Sequence, residues 1–351
     1  GSEMCIRDSS MDIKENFFES PRHKTFYLEC GPEDGPLAIL VHGWPELSLS
    51  WRHQLPFLAE LGFHVIAPDM RGYGRSSVYD YHEAYCQEEI VTDMKELFDS
   101  FAVDNALWIG HDWGSPVVWN MALHHPDIVN GLVSLCVPYG WGGHPENYLR
   151  SIDRNVYPED QYPYGQWDYQ FFYLEHFDVA LQDMEVDPHK MVKLLFTKGQ
   201  AATKNTVAPT AVISEAGGWF KFKDLGVNGL EDFHEVQIDS DVITDEEAKI
   251  FGDYLSENGL FGPNSWYMNG AANDAFSKQV QSFYIEQPVL FVHAAFDQVL
   301  ATENSPMIKP MQKFCSDLTE AHLDTGHWMA QEKPDELNQV LEQWIQSNFA
   351  I

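Results

Sequence analysis

The stretch Gly110-His111-Asp112-Trp113-Gly114 sets a carboxylate between two small residues. A strand that turns sharply into a helix and exposes a nucleophile needs small residues on both sides. The two backbones approach too closely for larger ones. Such turns often hold a serine. Here the central residue is Asp112, and a carboxylate in that place would form an ester on the enzyme itself when it attacks carbon. The plainer alternative is that Asp112 caps the helix that follows.

A carboxylate nucleophile needs a base to clear the ester it forms. The chain has 15 histidines, and His327 stands out by position, in the loop after the last apparent strand. Open parallel sheets carry their active sites at the C-terminal ends of strands. A base needs an acid to orient it. Asp297 follows the apolar run "VLFVHAAF", again at a strand's C-terminal end. The order Asp112, Asp297, His327 is that of nucleophile, acid and base in such folds. Asp324 is the competing acid, but it lies three residues from His327 and reads as a turn residue. The segment His42-Gly43-Trp44-Pro45-Glu46 ends the first clear strand. Its backbone N–H groups could form one half of an oxyanion hole, with the N–H of Trp113 as the other; a simple strand-ending turn is the alternative. The glycines of "DMRGYGRS" lack the third position of a dinucleotide fingerprint, which excludes nucleotide binding there.

These residues need elements to hold them. Strands are expected at residues 37–42, 63–69, 106–110, 131–138 and 288–297, with a further strand and loop at 317–328. Helices are expected at 83–102, 115–126 and 334–349. Strand and helix alternate, so the sheet should be mostly parallel with helices on its faces. From about residue 139 the chain becomes rich in Tyr, Pro, Gly and Trp, and helical stretches follow at 169–184, 187–197 and 244–257. The last starts with Thr244 and Glu247 at capping-box spacing. The expected division is a core of residues 21–138 and 276–351, interrupted by a mainly helical insertion at 139–275. Residues 1–20 are an N-terminal lead, of which the first ten read as sequence upstream of a natural start at Met11.

Composition narrows the class. The chain has 351 residues, 44% of them hydrophobic, enough for a substantial core. Five scattered cysteines suggest free thiols in a reducing compartment rather than a disulfide framework or metal set. No run is long enough for a membrane span and no signal peptide follows Met11, so a cytoplasmic protein is expected. A net charge of −33 argues against nucleic acid and anionic membranes as partners. It is spread along the chain, which fits a solvated acidic surface or adaptation to high salt.

Taken together, "HGWPE", "GHDWGS", Asp297 and His327 around a helical insertion resemble the α/β-hydrolase-fold epoxide hydrolases of the soluble type, over residues 20–349. The resemblance implies a mostly parallel sheet flanked by helices with a helical cap. It makes His42, Gly43, Pro45, Gly110 and Gly114 the residues that shape the two turns, with a cis Trp44–Pro45 bond and the Trp44 and Trp113 N–H groups as oxyanion donors. It adds two cap tyrosines that hold the epoxide oxygen: Tyr169 in "WDYQFFY" and Tyr267 in "GPNSWYMN", with Tyr173 as the alternative to Tyr169. The implied reaction turns an epoxide into a vicinal diol through an ester on Asp112, with no metal or organic cofactor. A haloalkane dehalogenase on the same fold is the alternative; its leaving halide needs no proton, so it has no need of the tyrosine pair. The resemblance also allows a homodimer.

Overall fold

The computed structural model describes residues 12–351. The expectation for residues 1–10 lies outside them. Eight strands form one sheet, in the order β1-β2-β4-β3-β5-β6-β9-β10. In chain order they are β1 (Lys14–Glu19), β2 (Lys24–Cys30), β3 (Leu37–Val41), β4 (His64–Pro68), β5 (Ala106–His111), β6 (Val129–Leu135), β9 (Val289–Ala294) and β10 (Leu318–Leu323), with a separate two-stranded ribbon, β7 (Lys221–Phe222) and β8 (Val227–Asn228), between β6 and β9. From β4 to β10 all neighbours run parallel; β1 and β2 pair antiparallel at one edge.

Every residue of β3, β4, β5 and β9 is buried. Continuous apolar runs are what a parallel sheet covered on both faces requires. This is the α/β hydrolase fold, as the sequence implies. The edge differs from expectation. Strand β1 lies within the stretch read as a lead, so the sheet starts before residue 21. Its pattern is half exposed, with Phe17 largely open, and gives no clear strand signal.

Parallel register brings the functional loops together. Val41 pairs with Gly110, and Ala294 with Leu323. The chain therefore leaves β3, β5, β9 and β10 on the same edge of the sheet. Between β6 and β9 lie helices at Asp168–Glu185, Pro188–Leu195 and Asp245–Asn258, close to the anticipated stretches. The capping box at Thr244 is formed: its hydroxyl accepts from the Glu247 N–H at 3.1 Å. Shorter helices at Phe261–Ser265 and Gly270–Lys278 are additional. Among the described residues no helix is long and apolar enough to cross a membrane.

Candidate active site

Strand β5 runs into the helix Gly114–His124 through Asp112, which sits in the left-handed region at φ 54°. A non-glycine residue there costs roughly 1 kcal/mol, a cost that functional turns commonly carry. The flanking glycines have a steric reason. A Cβ on Gly110 would collide with the carbonyl of Gly114, and one on Gly114 with that of Val41. A Cβ on Gly43 would collide with Asp112 itself. The helix cap is Trp113, with no side-chain capping bond, so Asp112 is not its N-cap.

The Asp112 carboxylate is held on both oxygens. Oδ2 accepts from the Trp44 N–H at 2.9 Å and from the Trp113 N–H at 2.6 Å. Oδ1 lies 2.9 Å from Nε2 of His327. The opposite ring nitrogen, Nδ1, donates to Oδ2 of Asp297 at 2.6 Å. Oδ1 of Asp297 accepts from the N–H groups of Val299 and Leu300, both at 3.0 Å, which fixes that carboxylate. The rival acid, Asp324, lies exposed in a bend. The Trp44–Pro45 peptide is cis.

A second histidine supports the first. His111 has no role in the sequence reading, yet its ring is buried, 4.8 Å from that of His327. It donates from Nε2 to the carbonyl oxygen of His327 at 2.7 Å. Its Nδ1 is 2.9 Å from Oε2 of Glu46, which also accepts from the Gly43 N–H. Burial opposes charge on His111, but the Glu46 carboxylate outweighs it and raises the ring well above the usual histidine range. Burial likewise opposes the Glu46 charge, and His111 holds it below the ordinary carboxylate value. The signal was present in the sequence, as His111 stands beside Asp112 and Glu46 closes "HGWPE".

Asp112, Trp113, Tyr169, Gln170 and Tyr267 line one narrow cavity of about 40 Å³. The rings of Tyr169 and Tyr267 lie 5.6 Å apart. The Tyr169 oxygen accepts from Gln170 Nε2 at 3.1 Å, which leaves its own proton free to donate. Tyr173 stacks on Tyr267 at 4.7 Å, but its hydroxyl is buried without a partner and does not line the cavity. The segment around Tyr267 is pinned to the core: Trp266 Nε1 donates to the Arg71 carbonyl, and Asn264 Oδ1 accepts from Trp44 Nε1 at 2.9 Å.

The α/β hydrolase fold family model matches residues 36–334 of this chain. Epoxide hydrolase A of Mycobacterium tuberculosis is 31% identical over 322 residues, spanning 91% of this chain and 92% of the relative. The chain belongs to the α/β-hydrolase-fold epoxide hydrolases. Bifunctional epoxide hydrolase 2 of Mus musculus is 33% identical over 93% of the chain, and the chain spans about half, 54%, of that relative's length. A solved epoxide hydrolase A from Mycobacterium thermoresistibile superposes with a TM-score of 0.75 at 28% identity, covering 97% of this chain and 100% of that one.

In this epoxide hydrolase family member the electrostatics are coupled. Burial opposes ionisation of Asp112, but the hydrogen bond from His327 and the charges of both histidines outweigh it and leave the carboxyl below its usual value. Burial also opposes charge on His327, and Asp297 and Asp112 together raise it well above the usual range. At neutral pH the resting site is therefore a carboxylate beside an imidazolium. Burial pushes both cavity tyrosines up, and the Asp112 charge adds to it, so their hydroxyls keep their protons. His111, Cys136 and His327 place ligand-type atoms within 4.8 Å of one another. Both nitrogens of each ring already face Glu46, the His327 carbonyl, Asp297 or Asp112, so a metal there would have to displace those contacts.

Proposed function

We propose that this chain hydrolyses epoxides to vicinal diols through a covalent ester on Asp112. The observation that carries the reading is the convergence of a carboxylate and two protonated tyrosines on one cavity. A strained ether needs both at once: a nucleophile for carbon and a proton for the departing oxygen.

In the first half, Tyr169 and Tyr267 donate to the epoxide oxygen while an Asp112 oxygen attacks a ring carbon. The carbon–oxygen bond breaks, the oxygen takes a tyrosine proton, and a hydroxyalkyl ester of Asp112 forms. That ester has lost the negative charge that held the His327 proton. His327 gives up its proton, which returns to the tyrosinate through solvent, and becomes the free base.

In the second half, His327 takes a proton from water and the hydroxide adds to the ester carbonyl carbon of Asp112. The Trp44 and Trp113 N–H groups, already on the carboxylate, hold the oxyanion. Collapse releases the diol, with its proton taken from the newly formed carboxylic acid. The cycle ends as it began, with Asp112 as carboxylate and His327 as imidazolium, and water and epoxide have become diol.

Incubation with a panel of aryl and alkyl epoxides and haloalkanes tests the reading. Diol from epoxides without halide from haloalkanes is expected. Halide release with no diol would move the assignment to a dehalogenase. In this reading residues 139–275 are the cap that carries Tyr169 and Tyr267 over the sheet edge.

A further inference from the structure

We propose that the water for ester hydrolysis enters by its own route, a polar cleft behind Asp297 that meets the catalytic cavity at Gln166. The inference rests on the covalent reading above and concerns only its second half.

The cavity beside Asp112 has a volume of about 40 Å³. That is room for about one or two waters, and the hydroxyalkyl ester takes it. The path by which the epoxide came in is then filled by the epoxide itself, at the moment when water must reach the ester carbonyl.

A larger cleft, of about 420 Å³, reaches the same loop. Asn205 and Ala301 at its mouth are exposed, whereas Gln166 and Asp297 on its floor are buried. The loop after β9 faces both spaces: Leu300 lines the cavity, whereas Asp297, Gln298 and Ala301 line the cleft. The proposed cap does the same, with Trp167 on the cavity and Gln166 on the cleft. The partition is therefore as thin as the step from one residue to the next. Across its seam Gln166 Nε2 donates to the Val299 carbonyl at a long 3.3 Å.

The chemistry of the cleft selects water over an ionic ligand, because the charges on its walls are already met. Lys204 pairs with Glu303 at 2.8 Å. The Arg154 guanidinium donates to the carbonyls of Tyr162 and Pro163 at 2.9 Å and 3.0 Å. Asp153 accepts from the Asn155 N–H, and Asp297 holds His327 and two backbone N–H groups. What remains is Oε1 of Gln166, buried without a partner. Buried polar atoms are rarely left unmet without a functional reason. An amide oxygen only accepts, and water is the smallest donor that satisfies it. Gln166 is thus a positioning residue. It holds water at the seam, from which water passes Leu300, gives a proton to His327 Nε2 and adds its oxygen to the ester carbonyl carbon.

Rapid-quench mass spectrometry with stilbene oxide follows the ester on Asp112 as it forms and clears. Gln166→Leu sets an apolar side chain of similar size at the seam, and Ala301→Trp narrows the mouth from an exposed position. Each should leave ester formation at the wild-type rate and slow its clearance about tenfold, so that KM falls together with kcat. With propene oxide, whose ester leaves room in the cavity, the slowing should be smaller. Wild-type clearance in both variants would overturn the inlet and leave the covalent reading standing, as would a loss shared equally by the two halves. No ester at any time in the wild type would overturn both.

Discussion

Nε2 of His327 lies 2.9 Å from Oδ1 of Asp112, so the base of the proposed second step rests as the ion-pair partner of the nucleophile of the first. Each group holds the other charged. The raised His327 and lowered Asp112 follow from that pairing together with Asp297, against the opposing effect of burial. Forming the ester removes one partner and frees the base when it is needed. Asp112→Asn mimics that loss of charge. Its His327 imidazole should titrate at lower pH than in the wild type, read by NMR of the ring protons. An unchanged titration would mean that Asp297 alone sets the base, and that ester formation does not release it.

Removing the base should split the reaction. Ring opening uses Asp112 and the tyrosines, whereas ester hydrolysis uses His327 and Asp297. His327→Gln mixed with a small epoxide should accumulate an adduct equal in mass to the whole substrate, because nothing leaves when a ring opens onto a carboxylate. A haloalkane would add only its alkyl group. Intact-protein mass spectrometry and peptide mapping to Asp112 read the result. Folded, substrate-binding variant that stays unmodified contradicts the covalent scheme.

The three cap tyrosines should differ. Tyr169→Phe and Tyr267→Phe should each slow ring opening, and the pair together should lose it by a factor of about a hundred or more, the scale of removing a stabilising donor. Tyr173→Phe should keep most activity, since that hydroxyl does not line the cavity. It should also raise the melting temperature slightly, because an unpartnered buried hydroxyl costs on the order of 1 kcal/mol. A Tyr173→Phe loss as large as that of Tyr169→Phe would reassign the donor.

The acidic balance gives a prediction about stability. With a net charge of −33, self-repulsion weakens the compact state until counterions screen it. If the surface is adapted to salt, the melting temperature should rise from low ionic strength to molar salt, measured against a neutral osmolyte that controls for salting-out of apolar surface. A flat or falling curve leaves only an ordinary solvated acidic surface.

The sequence by itself determined the alternating strands and helices, the elbow around Asp112 and the candidate partners Asp297 and His327. These are written locally: as apolar runs of strand length, as glycines where a Cβ would collide, and as acids and histidines at strand ends. The edge pair β1 and β2 was not legible, because β1 is half exposed and its pattern carries little apolar signal. The resemblance named Tyr169 and kept Tyr173, one helical turn on, as its alternative, but sequence could not say what either ring touches. Only the packed helix decides that the first lines the cavity with Asp112 while the second stacks behind Tyr267. His111 and Glu46 lie 65 positions apart, and their ion pair beneath His327 exists only because β3 and β5 are neighbours in the sheet. The same holds for the 2.6 Å and 2.9 Å contacts of His327, which bridge loops from β5, β9 and β10. Local chemistry depends on residue type and short spacing; distance and charge coupling depend on which strands the whole chain sets side by side.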